Sequence, residues 1–206
     1  ETMAEWWVEG FLGRLLGTED SLSQSLLQKA TFHIIPNMNP DGSRRGNLRT
    51  NAMGANLNRE WLTPSPDRSP EVYLVRSMMT ETGVDLCLDV HGDEGLPYNF
   101  VAGLEAIPSV TPRLLQLQDR FEAALVRACP DFQREFGYEK GEPGAANLSM
   151  CSNYVAEEFD CLALTIEQPF KDVAYARQPG GWSPERAKSF GACSIDAIAA
   201  VMDSLR

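Results

Sequence analysis

A chain of 206 residues with 43% hydrophobic content is long enough to bury one sizeable core. Its formal net charge of −11 and pI near 4.6 argue against a nucleic-acid or anionic-membrane binder, because phosphate recognition needs clustered Lys and Arg. Any anionic ligand must therefore be met by a local basic site. No apolar run approaches the length of a membrane span, and no signal-peptide pattern is visible. Five scattered cysteines, none in a C-x-x-C pair, read as reduced thiols of a cytoplasmic protein, each acting as a small buried hydrophobe.

Along the chain, residues 2–16 carry Trp7, Phe11 and Leu15 at helical spacing, with Gly17 as a stop. Trp6, Trp7 and Phe11 read as core or interface aromatics. "TFHIIP" reads as a short strand ending at Pro36, with His33 a structural histidine of that strand. Residues 37–61 are too rich in Asn, Gly and Arg for a regular element and read as a long ordered functional loop. Residues 70–81 read as a helix ended by Gly83. "VDLCLDV" has the apolar character of a central strand buried on both faces, and "YNFVAG" reads as another strand. An amphipathic helix is expected over 111–128. "CLALTIE" is a buried-type strand, and Ser183-Pro184-Glu185 opens the last helix with Ser as N-cap. Strands alternating with helices give an α/β class, with a mixed, mostly parallel central sheet flanked by helices.

In open α/β sheets, sites form at the carboxyl ends of strands. Three expected strands end in reactive stretches: "IIPNMNPDG", "CLDVHGDE" with His91, and "LALTIEQPFKD" with Glu167. Arg49 and the pair Asn58-Arg59 lie between the first and second. One histidine, one carboxylate after an apolar strand and a group of arginines suggest metal-assisted hydrolysis of a substrate that bears a carboxylate. A carboxylate ending an apolar strand is costly without a partner, which singles out Glu167. Arg44 and Arg45 read by default as a solvated pair.

"NPDG" at 39–42, Arg49, "LNREW" at 57–61, "DVHGDE" at 89–94 and "TIEQPFKD" at 165–172 together resemble the zinc metallocarboxypeptidases, and within them the cytosolic carboxypeptidase or deglutamylase branch and its bacterial homologues. The order and spacing of five short motifs carry the likeness, which runs from Glu1 to the Glu167 strand. It implies a carboxypeptidase-like α/β/α catalytic domain over 1–206, without the upstream β-rich domain and first strands of that branch. The family's first motif is H-x-x-E. Its glutamate matches Glu1, so its histidine would lie three residues earlier, outside this sequence.

The resemblance implies Zn2+ as cofactor, with Glu1 and His91 as metal ligands, and the C-terminus of a peptide or protein as substrate. Asp89 or a backbone carbonyl would hold the second ring nitrogen of His91. Glu167 would be the general base, Arg49 would stabilise the oxyanion, and Asn58 with Arg59 would clamp the terminal carboxylate. Two ligands leave zinc coordination incomplete, so the 206 residues alone are expected to bind zinc weakly. Many members also use a mobile tyrosine upstream of the catalytic glutamate. This chain has none at the usual place, leaving Tyr138 and Tyr154 as candidates. With Arg49 and Arg59 engaged, Arg44, Arg45 or Lys171 would meet a substrate side chain, which favours acidic C-terminal residues. The alternatives are a zinc amidase or deacylase of small N-acyl amino acids, and a non-catalytic binding module.

Overall fold

The structure, a computed structural model, describes residues 1–174 and 181–205. Its elements in chain order are α1 (Thr2–Leu15), α2 (Ser21–Lys29), α3 (Pro40–Arg45), a 3-10 turn (Leu57–Arg59), α4 (Pro70–Thr82), β1 (Leu86–Asp93), β2 (Phe100–Ala102), α5 (Pro112–Ala128), α6 (Cys151–Phe159), β3 (Leu162–Pro169) and α7 (Pro184–Met202). Local chemistry sets many of the boundaries. Asp20, Thr111 and Ser183 each accept a backbone N–H of their helix's first turn, and Pro stands in the first turn of α3, α4, α5 and α7. Gly83 ends α4 with φ +74°, a value open to Gly at no steric cost.

The sheet has three strands in the order β1-β3-β2, so it is mixed. β1 runs parallel to β3 and β2 antiparallel to it. β3 is buried along its whole length, whereas β1 is only half-buried and lies at the edge among the described residues. Among the described residues "VDLCLDV" pairs on one side only, with β3, and its apolar residues pack against α1 and α6. "TFHIIP" is not a strand. Its side chains do alternate, with Phe32 and Ile34 half-buried and Thr31, His33 and Ile35 exposed, but no described strand pairs with it. His33 is accordingly a surface residue. The 37–61 loop contains one short helix, α3, and the 3-10 turn, where an irregular path was expected. α2 and α6 form over stretches given no assignment from sequence.

Helices α1, α5 and α7 pack as one group, and α6 packs on β1 and β3. α1 and α7 approach backbone to backbone. A Cβ added at Gly191 would lie 1.9 Å from Trp7 O, and one at Gly10 would lie 1.9 Å from Lys188 O. Trp7 and Phe11 are buried and stack at 5.2 Å, while Trp6 is 37% exposed beneath the Lys188 ammonium. On the other side Ser152 Oγ of α6 bonds Thr165 Oγ1 of β3 at 2.6 Å. No helix among the described residues is long and apolar enough to cross a membrane.

Candidate active site

Strand periodicity assembles the site. Side chains two residues apart share a face, so Asp89, His91 and Asp93 of β1 point the same way. The parallel register sets His91 opposite Glu167 and Asp89 opposite Thr165, and β2 sets Phe100 opposite Glu167 from the other side. His91 and Glu167 therefore stand side by side near the carboxyl ends of parallel strands, where α/β sheets place their ligands.

Glu1 reaches this point from the start of α1. As N-cap residue it makes no side-chain cap to its own helix. Instead its Oε2 lies 3.0 Å from His91 Nδ1 and accepts the Gly92 N–H at 3.1 Å. Asp89 Oδ2 stands 3.0 Å from His91 Nε2, on the far side of the ring, and Asn58 Nδ2 is 3.5 Å from the same nitrogen. The Asn58 amide is fixed by the Cys151 N–H, which it accepts through Oδ1 at 2.8 Å. Glu167 is buried, its Oε1 lies 3.2 Å from the Tyr138 hydroxyl, and its Oε2 has no hydrogen-bond partner.

The electrostatics follow from this crowding. Burial opposes charge on His91, but Asp89 and Glu1 on its two sides outweigh it and hold the imidazole well above its ordinary range. Burial would raise Glu1, yet the hydrogen bond with His91 and the Gly92 N–H keep it below the usual carboxylate range. Burial pushes Glu167 up to about 7, with His91 pulling it down and the Glu1 charge pushing it up. Glu1 and Asp89 thus flank the His91 imidazole, and Glu167 stands opposite it in the sheet.

That charge pattern and the orphaned Glu167 oxygen fit a cation. An oxygen of Glu1 and a nitrogen of His91, 3.0 Å apart, are suitable zinc donors, and Asp89 is placed to orient the ring. Among the described residues no group of three or more His, Cys, Asp and Glu side chains forms a complete metal site.

The arginines are less gathered. Arg49 is exposed and pairs with Glu94 at 2.9 Å. Arg59 is exposed, with Nη1 donating to Asn58 O at 2.5 Å. Arg44 and Arg45, on the last turn of α3, are exposed and make no ion pair among the described residues, as does Lys171 beyond β3. Of the residues singled out from sequence, the structure brings together Glu1, His91, Asn58 and Glu167. It sets Arg49 and Arg59 beside their neighbours and leaves Arg44 and Arg45 in solvent. Of the two tyrosines, Tyr154 lies under Arg76 and against Trp61, and Tyr138 is at the site. Asp93 was missed, although its period-2 spacing from Asp89 and His91 was readable.

The zinc carboxypeptidase family model matches residues 1–177. The chain belongs to that family. Zinc is the family's cofactor and hydrolysis its chemistry. The chain is 51% identical over its whole length to an uncharacterised protein of Zymomonas mobilis, of which it covers 54%. It is 30% identical over 82% of its length to mouse cytosolic carboxypeptidase 3, covering 17% of that protein. Among solved structures it superposes on a metallo-carboxypeptidase from Pseudomonas aeruginosa in complex with (2-guanidinoethylmercapto)succinic acid, with TM-score 0.96 and 49% identity over the whole chain. A metallo-carboxypeptidase from Burkholderia cenocepacia gives TM-score 0.94 and 48% identity over 99% of the chain. The chain spans 55% of each of these two structures. Fold class and family thus agree with the reading of the five motifs.

Proposed function

We propose that the protein is a zinc-dependent metallocarboxypeptidase that removes C-terminal residues from peptides or proteins. The observation that carries this reading is the convergence of Glu1, His91 and Glu167 at the carboxyl ends of β1 and β3. Glu1 and His91 hold the metal, and Asp89 keeps the His91 ring in place. Zinc, when bound, supplies Lewis acidity toward the scissile carbonyl and acidifies water. Glu167 takes the water proton and passes it to the leaving amine. Arg49 turns from Glu94 to the developing oxyanion; an exposed pair of this kind is worth only about 0.2–1 kcal/mol, so the exchange is easy. Asn58 and Arg59 grip the terminal carboxylate with an amide and a planar guanidinium. None of the five cysteines forms a disulfide in the described residues, which supports a reducing, cytoplasmic location.

The whole protein should therefore cleave a peptide with a free C-terminal carboxylate, leave the C-terminally amidated peptide intact, and lose activity to a chelator. Equal cleavage of both peptides would point to an amidase instead.

An acidic preference is part of the same proposal. In a strongly acidic protein, Arg44 and Arg45 are guanidiniums without ion-pair partners among the described residues, in the loop that also supplies Arg49 and Arg59. A hydrogen bond to a charged group is worth about 1.5–3 kcal/mol, or roughly 10- to 150-fold in kcat/KM. Peptides ending in Glu or Asp should exceed those ending in Leu, Phe or Lys by that factor, and the gap should narrow at high salt. Equal or better cleavage of the Phe or Lys peptide overturns it. A gap that salt leaves unchanged would assign selectivity to shape.

A further inference from the structure

Tyr138 is held at the site by more than chance proximity. Its hydroxyl lies 2.5 Å from Asp93 Oδ2 and 3.2 Å from Glu167 Oε1. Asp93 is itself pinned, its Oδ1 accepting the Gly95 and Leu96 N–H groups at 2.8 and 2.5 Å. The phenol ring meets Phe100, the β2 residue opposite Glu167, edge to face at 4.8 Å. A Cβ at Gly137 would lie 2.9 Å from the Phe100 ring, so the backbone before Tyr138 needs a glycine to pass. The segment is clamped at both ends. Arg134 pairs with Glu122 and Asp119 of α5 at 2.8 and 2.7 Å, and Lys140 pairs with Glu105 at 2.6 Å. Just before the first clamp, Gln133 accepts the Glu135 and Phe136 N–H groups and donates to Phe136 O.

A phenol carries one proton and two lone pairs. The 2.5 Å contact assigns that proton to Asp93. The Tyr138 oxygen is then left to accept from a Glu167 carboxyl that has taken up a proton. Both oxygens of Glu167 otherwise lack a partner among the described residues. From this geometry we propose that Tyr138, anchored by Asp93, is a positioning residue that fixes the orientation of the Glu167 carboxyl during proton transfer. The inference rests on Glu167 being the base of the proposed peptidase.

The test is Tyr138→Phe and Asp93→Asn, singly and together, in the whole protein. Phe keeps the ring against Phe100 and removes only the hydroxyl. The expected result is a kcat lower by about 10- to 100-fold in each single variant, with KM within about threefold and zinc content unchanged. The double variant should be no worse than either single one, because the two residues act as a unit. A raised KM at unchanged kcat would make Tyr138 a substrate contact and overturn the proposal, as would wild-type kinetics. If the wild-type protein cleaves no peptide, the peptidase reading falls. The Glu167 carboxyl orientation in crystals of wild type and Tyr138→Phe then decides. A rotated carboxyl upholds the positioning role, and an unchanged one overturns it.

Discussion

Glu167→Gln in the whole protein is expected to lower kcat by about 100- to 10,000-fold, the range for loss of a general base. Zinc content and substrate KM should stay near wild type. Gln has the same shape, and the position is set by the backbone register of β3 against His91 and Phe100 rather than by the carboxylate charge. An amide cannot take the proton of water at neutral pH, so the loss falls on the chemical step and leaves ground-state binding alone. Zinc content and kcat measured on the same preparation check this. Turnover within a few-fold of wild type would remove Glu167 from the role of base.

The second large effect concerns stability and comes from the α1–α7 contact. Gly191→Ala should cost about 3 kcal/mol or more, the upper range for overpacking, because the new Cβ meets the Trp7 carbonyl oxygen at 1.9 Å and the Phe11 nitrogen at 3.0 Å. Backbone cannot rotate aside as a side chain can. The gain in helix propensity from Gly to Ala, about 0.5–1 kcal/mol, is too small to offset this. At about 2–4 °C per kcal/mol for a chain of this size, the expected fall in Tm is roughly 6–12 °C. Gly13→Ala is the contrast. It lies on the exposed side of the same α1, a Cβ there meets nothing within 4 Å, and it should gain the propensity term. Since α1 begins directly after Glu1, the Gly191→Ala strain should also draw Glu1 from His91 and weaken zinc binding. An unchanged Tm would show that the two helices can part at no cost.

Much of this was legible in the chain itself. The helical spacing of Trp7, Phe11 and Leu15, Ser183 before Pro184, and Gly83 after an apolar-periodic run each act over a few residues, so α1, α7 and α4 could be placed from sequence. His91 and Glu167 were visible because each interrupts or ends an apolar strand, where a polar side chain needs a reason to be. The metal-ligand role proposed for Glu1 came only through the likeness to a family, since nothing in its sequence neighbourhood distinguishes it from a solvated charge.

What local chemistry could not decide was partnership. "TFHIIP" has strand-like alternation but no described ladder partner, and "LCLDV" has the composition of a central strand yet pairs with β3 alone among the described residues. A strand is defined by its neighbours, and neighbours are chosen by tertiary packing. The same holds within the site. Glu1 meets His91 across 90 positions and Tyr138 meets Glu167 across 29, contacts that exist only once β1, β2 and β3 are in register and the 133–140 segment is clamped to α5. The sequence by itself determined the reactive groups and the helices that carry the core. The folded chain alone decided which carboxylates face one imidazole, because distance between side chains depends on register and packing and not on separation along the backbone.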